Sequence, residues 1–191
     1  MKLYEKLPKH IMVGKKKVRV NLDFRNVLKM IDILGEEDLL PEAREWLALK
    51  CICRRPVDGM MPVVRKLLFV NKKTIGERVT DFEQDADLIR AAFLQEYGIN
   101  LYRDKLHWFE FACLLSCITG DNKYSDILSI RVRPMPEATK FNEKERAWLA
   151  NAKSEFGLTL TEEEQEEEYR KQVQKIGSVL KALAREGENN V

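Results

Sequence analysis

At 191 residues, with 45% hydrophobic and 34% charged residues, the chain suits one domain of ordinary size that can bury a real core. Its net charge of +2 argues against a whole-protein nucleic-acid binder, and no apolar run approaches the roughly 18 to 20 residues that span a bilayer. The start, MKLYEKLPKH, has no apolar core behind its charges, so secretion is not indicated and the cysteines are expected to be reduced.

In chain order, HIMVGKKKVRVN reads as a β-hairpin: Ile11 and Val13 alternate on one arm, Val18 and Val20 on the other, with Gly14 and the lysines in the turn. In LDFRNVLKMIDILG, Asp23 is a candidate N-cap and Phe24, Val27, Leu28, Ile31 and Leu34 follow helical spacing. Gly35 fits a left-handed helix end. PEAREWLALKCIC opens with Pro41 at a first-turn position, and Leu47, Cys51 and either Ala48 or Leu49 supply its inner face. RRPVDGMMP breaks the pattern. MPVVRKLLFV reads as a short helix, although Val63 and Val64 also suit a strand.

From Lys50 to Arg78 there are eight basic residues against Asp58 and Glu77. Arg54, Arg55, Arg65, Lys66, Lys72 and Lys73 make this the chain's basic surface candidate. It lacks interleaved aromatics and a helix-turn-helix spacing, so an acidic protein partner or simple solvation fits it better than nucleic acid.

In DFEQDADLIRAAFLQEYGINLYRDKLHWFEF, Asp81 and Gln84 have capping-box spacing, and four acids crowd the first turns of a helix that Gly98 stops. Asp104 is expected to cap the next helix, LHWFEFACLLSCI, which is apolar nearly all round and so central. His107 and Glu110 stand three apart and can touch. Such a pair suits acid–base work, but is more often a hydrogen-bonded structural pair. The cysteine spacings, C-x-C at Cys51 and Cys53 and C-x-x-x-C at Cys113 and Cys117, are not those of a zinc site, and the only histidines are His10 and His107. All four thiols are read as small buried hydrophobes, and no cofactor, metal or catalytic residue is expected. No nucleophile elbow, P-loop, dinucleotide turn or H-E-x-x-H is present, so the chain does not read as an enzyme.

KYSDILSIRVRPMP gives a short helix ending before Pro134. Asn142 and Glu145 have capping-box spacing at the head of the next helix, which Gly157 stops. Finally, Thr161 and Glu164 form another capping box, and six of the seven residues from Glu162 to Glu168 are glutamates. Glu166–Arg170 and Glu167–Lys171 are favourable i,i+4 pairs. Tyr169, Val173, Ile176, Leu180 and Leu183 then recur at coiled-coil intervals. This seam either docks on the protein's own body or takes a partner helix. The expected architecture is thus mainly α: a helical domain over residues 1–160 with an N-terminal hairpin at about 9–21, then a glutamate-headed amphipathic helix over 161–191.

The runs DFEQDADLIRAAFLQEYGINL, LHWFEFACLL and SDILSIRVRPM, with the earlier VRVNLDFRNVLKMIDIL, resemble the bacteriophage Gp-fifteen family. They cover most of Val18–Met135; the basic middle and the glutamate-rich end match least. The resemblance implies a tail-region protein of phages and prophages of Gram-positive bacteria. Genes of this family lie beside the tape-measure gene, where tail assembly chaperones are encoded. It therefore implies binding to the tape-measure protein in the host cytoplasm, with the tail-tube protein as a further candidate partner and homo-oligomerisation open. The family has no known catalytic residues to carry over. Two other readings stand beside this one: a structural minor tail component retained in the virion, and a nucleic-acid-binding or regulatory module using the basic stretch.

Overall fold

The computed structural model of the protein describes residues 5–69 and 78–159, together with 164–166, 169–170 and 174. Lys72, Lys73, Val173, Ile176, Leu180 and Leu183 lie outside the described residues. So does most of the expected C-terminal helix; the residues described there are helical.

The architecture is mainly α with one small antiparallel sheet near the N-terminus. Strands β1 (His10–Val13) and β2 (Lys16–Arg19) pair with Ile11 opposite Val18. Gly14 takes φ 59°, the left-handed backbone that a two-residue hairpin turn requires. The helices are α1 (Phe24–Gly35), α2 (Pro41–Ile52), α3 (Met60–Phe69), α4 (Ala86–Tyr97), α5 (Trp108–Ser116), α6 (Lys123–Val132) and α7 (Glu143–Phe156). Among the described residues, no helix is long and apolar enough to cross a membrane. The chain folds into two compact units, Met1–Ser129 and Ile130–Val191.

In the first unit α1 lies along α2, α3 packs on α2 and on β1, and α5 packs on α1 and α4. The core centres on Phe111 of α5, 1% exposed. Its ring stacks on Phe24 of α1 at 4.6 Å between centroids, on Phe93 of α4 at 5.3 Å and on Trp108 at 5.9 Å. Three helices thus converge on one aromatic cluster, and such pairs add to the stabilisation from area burial alone.

Several helix ends differ from expectation. Of the expected inner face of α2, Ala48 and Leu49 are both buried and Cys51 is half-buried, but Leu47 is exposed and Ile52 is buried, so the face is rotated by about one residue relative to the spacing reading. Gly35 is the last residue of α1 and is not left-handed, so its helix ends through Glu36 in extended backbone. Gly98 is left-handed, at φ 66°, and the amides of Gly98 and Ile99 turn back onto the carbonyls of Leu94 and Phe93. Asp81 takes the amides of Glu83 and Gln84, each at 2.8 Å, but these close a turn ahead of the helix. The helix itself begins at Ala86, and the buried Asp85 accepts from the Asp81 amide at 3.0 Å. Of the cysteines only Cys53 is buried; Cys113 and Cys117 are exposed, because α5 turns one side outward at its C-terminal end.

In the second unit, the segment after α6 runs back along α7, held by side chains on backbone carbonyls. Lys153 Nζ donates to Arg131 O at 2.7 Å, Arg131 Nε donates to Phe156 O at 2.6 Å, and Arg146 donates to Pro136 O. Arg133 pairs with Glu145 at 2.6 Å. That pair, and the Asn142 side chain's bonds to Thr139 N and Glu137 O, replace the expected Asn142–Glu145 capping box; Asn142 remains the N-cap by position.

Candidate functional site

The site begins where two helices start side by side. The chain entering α1 and the chain entering α5 form a short antiparallel bridge: Phe24 N donates to Leu106 O at 3.0 Å and Trp108 N donates to Leu22 O at 2.7 Å. Asp23 caps α1, accepting the Arg25 amide at 3.1 Å. Asp104 does not cap α5; its carboxylate accepts the Asn100 amide at 2.7 Å and closes the loop before the helix.

The cap of α5 is His107. Its Nδ1 accepts the Phe109 amide at 3.3 Å, and Glu110 reaches back to accept the His107 amide at 3.1 Å. This is a capping box with histidine in the place usually held by serine or threonine. Because Nδ1 accepts, the ring proton sits on Nε2, which donates to Pro8 O at 3.3 Å. The pair weighed for acid–base work therefore starts a helix and pins the N-terminal segment. Arg25 locks the same corner: its Nη2 donates to Leu101 O at 2.8 Å and to Asp104 O at 2.7 Å, and its guanidinium lies 4.8 Å over the Phe24 ring.

This corner floors an open groove of about 840 Å³. Buried Val20, Leu22 and Ile52, with half-buried Leu106, supply an apolar base. Exposed Lys9, Arg19, Arg54 and Lys105 stand around it, and none of the four has a carboxylate partner among the described residues. The one acid on the wall, Asp23, is occupied by Arg25. The groove is thus apolar beneath and positive above, which suits an anionic segment carrying some apolar surface.

Of the basic surface expected from sequence, Arg54, Arg55, Arg65 and Lys66 are described. Arg54 reaches the groove; Arg55 and Lys66 are exposed elsewhere, and Arg65 pairs with Glu45 at 3.4 Å. Lys9, Arg19 and Lys105 were missed, since Lys9 and Arg19 lie at the base of the N-terminal hairpin, Lys105 lies far along the chain, and only the fold gathers them beside Arg54. Of the expected seam, Tyr169 is described: it is helical and 69% exposed, beside the predicted Glu166–Arg170 pair, formed at 3.1 Å.

A smaller groove of about 330 Å³ lies between α1 and α4, bounded by Leu28, Asp32, Phe82, Ile89 and Tyr102. Desolvation, and then the charges of Glu83, Asp81 and Glu36, raise the Asp32 carboxyl above its ordinary value. In the second unit Val132, Met135, Phe141 and Trp148 are exposed, Phe141 almost completely. Among the described residues, no group of three or more His, Cys, Asp or Glu side chains is placed to hold a metal ion.

Compared with known proteins, residues 55–158 match the family model described as Bacteriophage Gp15 protein, more than half of the 191 residues. No curated protein and no solved structure matches. The matched span runs from the groove's edge beyond Arg54 through the aromatic core to the end of α7, and by it the chain belongs to the bacteriophage Gp15 protein family.

Proposed function

We propose that the protein is a phage tail assembly chaperone, which binds the tape-measure protein in the host cytoplasm and promotes assembly of the tail tube round it. It acts by binding and not by catalysis. The family match carries this reading. The surface supports it: Phe141 and Trp148 present large apolar side chains to solvent, where a long apolar helix finds complementary contacts. The heptad spacing from Tyr169 to Leu183 offers a further helix-binding stripe. A tape-measure protein is a long, helical and apolar chain, so many copies each making a moderate contact hold it with high avidity.

Co-expression with the tape-measure protein tests this. The wild type is expected to co-purify with it and keep it soluble. Two variants, Phe141→Asp with Trp148→Asp and Ile176→Asp with Leu180→Asp, are expected to lose it while remaining folded. A tape-measure protein that stays equally soluble without the chaperone overturns the proposal.

A further inference from the structure

Helix α2 carries opposite charge concentrations at its two ends. Where it stops, Arg54 stands at the groove with Lys9, Arg19 and Lys105, around the apolar base of Val20, Leu22 and Ile52. None of the four cations has a carboxylate partner among the described residues. Where the helix starts, the connector EEDLLPE presents Glu37, Asp38 and Glu42, all three exposed. Their carboxylates have no ion-pair or hydrogen-bond partner among the described residues. Between them the side chain of Leu40 is 77% exposed. It sits at the N-cap of α2, where serine or aspartate would bond the first amides, and makes no such bond. The helix dipole accounts for Glu42 in the first turn, but not for a bare leucine among acids. Loop and groove both belong to the compact unit Met1–Ser129, and the 12 residues of α2 hold them about 18 Å apart at about 1.5 Å per residue. Within one copy they therefore do not meet.

We propose that the groove of one copy receives the acidic loop, residues 37–42, of another. Leu40 covers the apolar base, while the carboxylates of Glu37, Asp38 and Glu42 meet the ring of cations. A nucleic-acid strand would satisfy the cations but leave the apolar base without a partner, whereas this loop carries both chemistries. The two surfaces are different, so the contact is head-to-tail, and each added copy brings a fresh groove and a fresh loop. Association is steered by charge and is salt-sensitive, with a modest interface typical of reversible assembly. The inference stands on the groove and loop alone and does not require the tape-measure reading.

The test is sedimentation velocity on the full chain. Wild-type protein at up to about 100 µM and about 50 mM salt is expected to grow beyond monomer with concentration, and about 500 mM salt is expected to weaken association at least roughly tenfold. A groove variant, Arg19→Glu with Arg54→Glu, is expected to stay monomeric, as is a loop variant, Glu37→Lys with Asp38→Lys. Leu40→Ser separates docking from folding: serine is a better N-cap, so the melting temperature should hold or rise while association weakens at least roughly tenfold. Circular dichroism checks that all variants remain folded. An equal mixture of the groove and loop variants is the decisive arm. The groove variant keeps an intact loop and the loop variant keeps an intact groove, so one contact forms and no second can follow: the mixture gives dimers and stops. The proposal is overturned by a monomeric wild type, by variants that associate like the wild type, or by a mixture that stays monomeric. If the wild type is monomeric and the groove variant alone loses the tape-measure protein, the groove belongs to that partner instead. A monomeric wild type that still co-purifies with the tape-measure protein removes this inference and leaves the proposed function standing.

Discussion

Replacing His107 separates its role as a helix cap from any role in chemistry. His107→Ala removes the acceptor for the Phe109 amide and the donor to Pro8 O. Loss of an N-cap side chain costs about 0.5–2 kcal/mol, and a net hydrogen bond contributes about 0.5–1.5 kcal/mol. The expected loss is therefore about 1–3 kcal/mol, since the two contacts sit on one ring and need not add fully. His107→Asn restores a good cap but is too short to reach Pro8, so it recovers about 1 kcal/mol of that loss. Urea unfolding is the assay; the change should appear in the midpoint with an unchanged m-value, because the same surface is exposed on unfolding. An Asn variant as destabilised as the Ala variant, or an Ala variant as stable as the wild type, would refute the capping role of His107. Tape-measure binding by the folded Asn variant should equal that of the wild type.

Other outcomes follow from the same structure. Phe111→Ala empties the centre of an aromatic cluster drawn from α1, α4 and α5, and should cost about 3–5 kcal/mol by urea unfolding. Asp32→Asn should stabilise the protein at neutral pH. The folded-state carboxyl lies above its ordinary value of 3.8, so its ionised form opposes folding, fully above the folded pKa and not at all below the unfolded one. Melting temperatures of the Asn variant and the wild type should therefore differ near pH 7 and converge near pH 3, as the carboxyl protonates in both states.

Much of the fold is legible in the sequence because local physics decides it. Gly14 marks the hairpin, Asp23 caps α1, Pro41 opens α2, and Gly98 takes the left-handed end of α4. Where the expectation fails, another partner displaces the expected one. Asp104 is drawn to the Asn100 amide, so His107 becomes the cap of α5; Glu145 is drawn to Arg133, so Asn142 has no capping box. The outward side of α5 leaves Cys113 and Cys117 exposed although the run is apolar nearly all round. The groove was the least legible feature. Only Arg54 lies in the basic stretch, while Lys9, Arg19 and Lys105 meet it because the Asp23–His107 bridge and the hairpin bring their segments together. Charge counts along a chain do not reveal that gathering.

If the protein acts as proposed, it handles the tape-measure protein during tail assembly and is absent from the finished particle. Quantitative mass spectrometry on infected or induced cells compares complexes isolated through the tape-measure protein with purified virions. Many copies of this chain per tape-measure protein are expected in the assembling complexes and none in the finished particle. Stoichiometric copies in the virion, or none on the assembling tape-measure protein, would contradict that role.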